Sequence, residues 1–388
     1  MQPANRLEVV QAPVMSFVAG LIRATPGTIS LGQGMVHYPP PPAALQAMSA
    51  RLGEASLHRY GHVLGRTALI NAFRNKLTQE NQLDISADTE VIVTAGSNMA
   101  FAHTILAITD PGDEVILLAP YYFNHEMAIQ IASCRAVIVP TTDTFEPDLN
   151  ALERAITPRT RAIVTVSPNN PTGVVYEDET LRHVNALCKT HNCYHISDEA
   201  YEYFTFDGAV HFSPGSITGS GLHTVSLYSL SKAYGMAGWR IGYMAVPKIL
   251  LPALKKIQDT TLICAPLPSQ LVALEAVTAG SAYCRQYLGP LANVRTLVLE
   301  TLSALGPRVK VSPSRGAFYF FIEVDTDLDA VTLTRRLIED YHVAVIPGTT
   351  FGVKTRPYLR IAYGALQRET VAEAIGRVAA GLTDILAT

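Results

Sequence analysis

From residue 90 onward the chain alternates short β-branched apolar runs, at 91–94, 115–118, 136–139, 162–166, 194–197, 224–228 and 241–246, with stretches long enough for helices. Short β-branched runs set between helix-length stretches fit the strands of a sheet that helices cover. The seven runs therefore predict an α/β fold: a mostly parallel seven-stranded sheet with helices on both faces. One connecting helix is expected at 100–108, because Asp110-Pro111-Gly112 supplies a stop and a turn. The last hundred residues follow another order, with a helix through 291–305, a strand at 317–324, a helix near 332–341, strands at 343–346 and 358–362, and a final helix. This predicts a smaller α+β domain over 286–388 and a large domain over 46–285, with a segment over 1–45, proline-rich at Pro39 to Pro42, crossing to join the small one.

Composition narrows the function. The 388 residues are 48% apolar and 16% charged, well under the roughly 25% charge of an average soluble chain, which excludes disorder. The net charge of -3 comes without any basic block, so the footprint that nucleic acid requires is missing. Apolar runs such as 115–119 stop far short of the roughly 20 residues of a membrane span. Glu8, Gln11, Pro13 and Ser16 interrupt any secretory apolar region. The five cysteines (Cys134, Cys188, Cys193, Cys264, Cys284) are odd in number and hold no C-x-x-C, which suggests neither a disulfide framework nor a zinc or other metal site. The expectation is a cytoplasmic protein with buried thiols.

Three motifs stand at the carboxyl ends of expected strands. Ser229-Leu-Ser231-Lys232-Ala-Tyr-Gly-Met-Ala-Gly-Trp-Arg240-Ile-Gly follows the run 224–228. A lysine there can be desolvated, which frees its amine as a nucleophile toward an aldehyde, and the serines with Arg240 suit a nearby phosphate. Ser197-Asp198-Glu-Ala-Tyr201 ends another run; its carboxylate can keep a ring nitrogen protonated, and Tyr201, one turn on, can donate to a ring hydroxyl. Ser167-Pro-Asn-Asn170-Pro-Thr-Gly ends a third, a rigid turn that presents an amide. Strand carboxyl ends are where open α/β sheets bind ligands, so the three point to one site.

With these motifs nearly the whole chain resembles the fold type I pyridoxal-phosphate enzymes, and within them the class I/II aminotransferases of the aspartate aminotransferase superfamily. The resemblance implies pyridoxal 5'-phosphate as cofactor and a homodimer with sites shared between subunits. It implies that Lys232 carries the cofactor as a Schiff base and then shuttles protons, that Asp198 pairs with the pyridine nitrogen, and that Tyr201 and Asn170 bond the ring oxygen. Gly96, Ser97 and Asn98 resemble the phosphate-cradling turn, completed by Ser229 and Arg240, while Tyr60 resembles the tyrosine that reaches the phosphate of the other subunit. Tyr122 matches the aromatic that stacks on the ring and also faces the substrate, and His125 is placed to bond Asp198. Arg360, in Tyr358-Leu-Arg-Ile-Ala-Tyr, resembles the two-pronged reader of the substrate α-carboxylate, with Asn170 and the backbone of Gly34 beside it.

The implied activity is amino-group transfer between an L-amino acid and a 2-oxo acid by a ping-pong mechanism. A pyridoxal-phosphate lyase of C-S or elimination type is the alternative, and a noncatalytic cofactor-binding regulator the remote one. Segment 13–17, expected to close over the substrate, and loop 35–38 are mostly apolar and favour an aromatic or aliphatic side chain. His37, Arg23 or a partner arginine would suit a distal carboxylate, which keeps glutamate and aspartate as partners.

Overall fold

The computed structural model describes residues 4–12, 14–85 and 88–387. Its strands are β1 (Ile29–Ser30), β2 (Thr89–Thr94), β3 (Glu114–Ala119), β4 (Arg135–Pro140), β5 (Thr160–Val166), β6 (Tyr194–Asp198), β7 (Thr224–Ser229) and β8 (Gly242–Pro247), then β9 (Val309–Val311), β10 (Tyr319–Val324), β11 (Val343–Ala344), β12 (Ile346–Pro347) and β13 (Tyr358–Ala362). The central sheet has the seven strands that the runs predict, in the order β2-β8-β7-β6-β5-β3-β4. Four pairings are parallel and two, on either side of β8, are antiparallel. Two reversals return β2 to the common direction, so its carboxyl end lies on the same edge as those of β5, β6 and β7.

Alternation along each strand feeds two separate cores. Val115 and Leu117 of β3 pack with Phe101 and Ile105 of helix Ser97–Ile108. Ile116 and Leu118 turn the other way, onto Leu181 and Val184 of helix Asp178–Thr190. That helix starts on Asp178 and Glu179, whose charges favour its amino end. Both sheet faces are thus covered.

A second, antiparallel sheet, β12-β13-β10-β9, packs against helices Leu288–Ser303, Ala330–Tyr341 and Arg368–Ala387. The strand expected at 343–346 is two strands, because the chain changes neighbours at Val345. Val343 and Ala344 pair with Ile29 and Ser30 in parallel, whereas Ile346 and Pro347 pair with Arg360 and Leu359. Among the described residues no helix is long and apolar enough to cross a membrane.

One buried group makes stability depend on pH. His195, the second residue of β6, is fully buried between Thr165 Oγ1 (2.9 Å) and Asn185 Nδ2 (3.1 Å). Burial, with a smaller push from His223, lowers its imidazole to about 3. Below the ordinary histidine pKa the unfolded chain binds a proton that the folded chain refuses, so stability falls as pH drops from about 6.5 toward 3. Urea unfolding at several pH values should show a slope steeper by about 1.4 kcal/mol per pH unit in the natural protein than in His195→Gln.

Candidate active site

The carboxyl ends of β2, β5, β6 and β7 surround a cavity. Ser97, Asn98, Tyr122, Asn170, Asp198, Tyr201, Ser229, Lys232 and Arg240, all named by the sequence, line it, together with Val166, Ala200 and Ser231. Gly34, Gly96, His125 and Arg360 act on those lining groups from behind, as their contacts show. Tyr60 stands apart: it is 82% exposed and does not line the cavity of its own chain.

One end of the cavity is built for an anion. Gly96, at φ +87°, starts helix Ser97–Ile108, whose first amides have no partners inside the helix. A Cβ on Gly96 would lie 2.7 Å from Arg240 Nη2, so glycine is what lets the guanidinium approach the helix end. Arg240 holds a left-handed backbone, φ +49°, unusual for a side chain of its size. Ser229 caps the short helix Leu230–Ala233 by accepting from the Ser231 amide at 3.2 Å. Hydroxyls, guanidinium and helix end form a donor set that suits a dianionic phosphate.

Asp198, the last residue of β6, is 4% exposed. It accepts from the Ala200 amide and from His125 Nε2, each at 3.1 Å. His125 is buried rather than a surface residue at a helix start; Phe101 stacks on it at 4.0 Å and Tyr122 meets it edge-on at 5.2 Å. A buried carboxylate facing an open cavity favours a cationic ligand atom such as a protonated ring nitrogen.

Lys232 donates its Nζ to the Gly34 carbonyl. Burial, then the Arg360 and Arg240 charges, push its amine down to about 8, against the opposing pull of Asp198. Such an amine is partly neutral near pH 7 to 8 and can act as nucleophile or base. The cavity therefore matches pyridoxal phosphate at its phosphate, its ring nitrogen and its aldehyde.

A hydrogen-bonded chain runs along the far wall. Tyr319 and Tyr201 share a hydroxyl contact of 2.5 Å, Asn170 Nδ2 donates to Tyr201 at 3.4 Å, and Arg360 Nη1 donates to Asn170 Oδ1 at 2.9 Å. Arg360 Nη2 reaches the Gly32 carbonyl at 2.6 Å, and the guanidinium lies 4.7 Å and 5.0 Å from the ring centres of Tyr319 and Phe351. Arg360 is 3% exposed, and its Nε has no hydrogen-bond partner among the described residues. A buried guanidinium held only by neutral acceptors suits an incoming carboxylate. Burial above all pushes Tyr319 up to about 12 and raises Tyr201 as well, so both hydroxyls keep their protons.

Sequence reasoning missed Tyr319, Gly32 and Phe351. Tyr319 sits in an apolar run that reads as core, and only the pairing of β10 with β13 brings it to Arg360. Pro13 lies outside the described residues, and 14–24 forms a helix whose Val18 faces the core. Phe17, about 100° round from Val18, is 38% exposed beneath Arg335, 5.6 Å from its ring, and does not line the cavity. His37 packs edge-on against Tyr38 and Tyr287, and Arg23 is exposed.

A partly neutral lysine, a buried carboxylate and an anion cup on one edge of such a sheet make this a fold type I pyridoxal-phosphate enzyme. The model of the family Aminotransferase class I and II matches residues 26–378, and the chain belongs to that family. It is 34% identical to the aromatic aminotransferase ISS1 of Arabidopsis thaliana, over 96% of this chain and 94% of that one. It is 36% identical to the aspartate/prephenate aminotransferase of Thermus thermophilus, over 90% of each. The solved structure of the Thermus thermophilus aspartate aminotransferase with maleate has a TM-score of 0.91 at 32% identity, covering 98% of this chain and 100% of that one. The aromatic aminotransferase from Pyrococcus horikoshii gives 0.87 at 29%, covering 95% and 99%. The protein is a pyridoxal-phosphate-dependent aminotransferase.

Proposed function

We propose that the enzyme transfers the amino group of an aromatic or apolar L-amino acid to a 2-oxo acid, with glutamate or aspartate as the other amino acid of the cycle. The observation that carries this is the convergence of Lys232, Asp198 and Arg240 on one cavity. The apolar residues of loop 35–38 and the aromatic names of relatives in Arabidopsis and Pyrococcus support the side-chain class. When bound, pyridoxal phosphate supplies an aldehyde that condenses with amines and a pyridinium that takes up the electrons left when the Cα proton departs.

The residues divide the remaining work. Ser97, Asn98, Ser229 and Arg240, with the Gly96 turn, bind the phosphate, and Tyr122 covers the ring. Asp198, steadied by His125, keeps the ring nitrogen protonated, while Tyr201 and Asn170 hold the ring oxygen. Lys232 anchors the cofactor and moves the proton from the substrate Cα. Arg360, with Asn170 and Gly34, orients the α-carboxylate.

A panel of amino donors assayed with 2-oxoglutarate and pyruvate tests the substrate class. Phenylalanine or tyrosine should exceed alanine in kcat/KM; alanine or aspartate as the sole good donor would overturn it. Arg360→Lys should weaken every donor by a similar factor, roughly 10- to 100-fold, because a point charge cannot reproduce the planar fork. Loss for glutamate alone would make Arg360 a reader of the distal carboxylate.

The working unit in this reading is a homodimer in the cytoplasm, with a large domain over 46–285 and a small one over 286–388 joined by 1–45. The exposure of Tyr60, together with its absence from its own cavity, supports a role across the interface. Hybrids of a Lys232→Ala chain with a Tyr60→Ala chain should regain one working site per dimer. Hybrids without activity would confine Tyr60 to its own subunit.

A further inference from the structure

Asp198 and Glu199 are consecutive at the end of β6, and their side chains leave in opposite directions. Asp198 lines the cavity. Glu199, 1% exposed, turns away from it and accepts from His211 Nε2 at 2.9 Å and from Ser213 Oγ, both on the same oxygen, Oε2. Three residues on, Glu202 points to the same side. Its Oε2 accepts from Lys76 Nζ at 2.5 Å and from Asn81 Nδ2 at 2.8 Å. Asn81 closes the array: it donates to Ser213 Oγ at 2.9 Å and accepts from Lys76 at 2.7 Å. An unbroken path thus runs from Glu199 through Ser213, Asn81 and Glu202 to Lys76.

The two ends of this array grip the turn that carries Asp198 and Tyr201. The Glu199 amide bonds the Leu227 carbonyl of β7 at 2.9 Å, and the Glu202 amide bonds the Glu199 carbonyl at 3.1 Å. Burying two carboxylates behind a site is costly and needs a return. Apolar packing could hold a turn against the sheet, but it would not fix its rotation about the strand axis, on which the aim of the neighbouring side chain depends. Hydrogen bonds of fixed length do.

We infer that Glu199 and Glu202, joined through Ser213 and Asn81, are positioning residues that set the aim of Asp198 and Tyr201 from the side of the sheet end opposite the cofactor. The inference rests on the proposed pairing of Asp198 with the ring nitrogen. It also separates geometry from charge. Because both donors use one oxygen and Oε1 has no partner among the described residues, Glu199→Gln can place its carbonyl oxygen where Oε2 stands and keep both bonds. Glu199→Ala cannot.

The test compares the holoenzymes of Glu199→Gln, Glu199→Ala and Asn81→Ala by kcat, KM for the amino donor, cofactor absorbance and retention of pyridoxal phosphate on dialysis. Glu199→Ala should lower kcat roughly 10- to 100-fold with KM changed less than about threefold, the loss typical of an outer support. It should also change the cofactor absorbance and release pyridoxal phosphate about tenfold faster. Glu199→Gln should stay within about threefold of the natural enzyme, and Asn81→Ala should fall between. If Glu199→Ala does not fold, Asn81→Ala carries the test, because it cuts the path and leaves both carboxylates in place. Lower thermal stability with kcat per folded site, absorbance and retention unchanged would overturn the inference, as would a Glu199→Gln as damaged as Glu199→Ala. Asp198→Asn run in parallel separates the two readings. Full turnover there defeats the pairing of Asp198 with the ring, whereas its loss beside an unaffected Glu199→Ala defeats only the positioning role.

Discussion

Lys232→Ala is expected to lose turnover by roughly 10⁴-fold or more, together with the absorbance of the covalently held cofactor. Among the described residues no other lysine lines the cavity. The environment of Lys232 is also specific: its amine is held near 8 by burial and by Arg360 and Arg240, so it can give up and regain a proton at working pH. Alanine removes nucleophile and proton carrier together. Pyridoxal phosphate should still enter, because the anion cup of Ser97, Ser229, Ser231 and Arg240 is untouched. Retained covalent absorbance and turnover in Lys232→Ala would remove the basis of the whole site.

Asp198→Asn should bind pyridoxal phosphate while exchanging the substrate Cα proton roughly 10²- to 10⁴-fold more slowly. An amide keeps the hydrogen-bond length but not the charge, so it no longer favours a protonated ring nitrogen. His125 sharpens the effect: at 3.1 Å it donates to a carboxylate oxygen in a pocket closed by Phe101. An amide that turns its NH2 toward His125 would leave a buried clash of donors. Deuterium exchange at Cα of a bound amino acid reads this step alone. Exchange at the natural rate would give the ring nitrogen some other partner.

Much of this site was legible because chemistry and strand ends coincide. Asn170, Asp198 and Lys232 each follow an expected strand, and such strands end on one edge when they are parallel. The run at 241–246 was equally legible as a strand but not in direction: β8 is antiparallel to both neighbours, a matter of connection that periodicity does not carry. Contacts that depend on pairing register stayed hidden. Tyr319 reaches Tyr201 and Arg360 only because β10 and β13 pair as they do. Likewise nothing in the sequence singles out Glu199 and Glu202; only the fold brings Ser213, Asn81 and Lys76 behind them.

The most direct test of the central claim is a single half-reaction. The purified holoenzyme, mixed with phenylalanine and no oxo acid, should convert its cofactor to pyridoxamine phosphate and release one equivalent of the 2-oxo acid per site, with no ammonia. Ammonia released in step with the oxo acid, while the cofactor stays in its aldehyde form, would contradict amino-group transfer and make the enzyme a lyase.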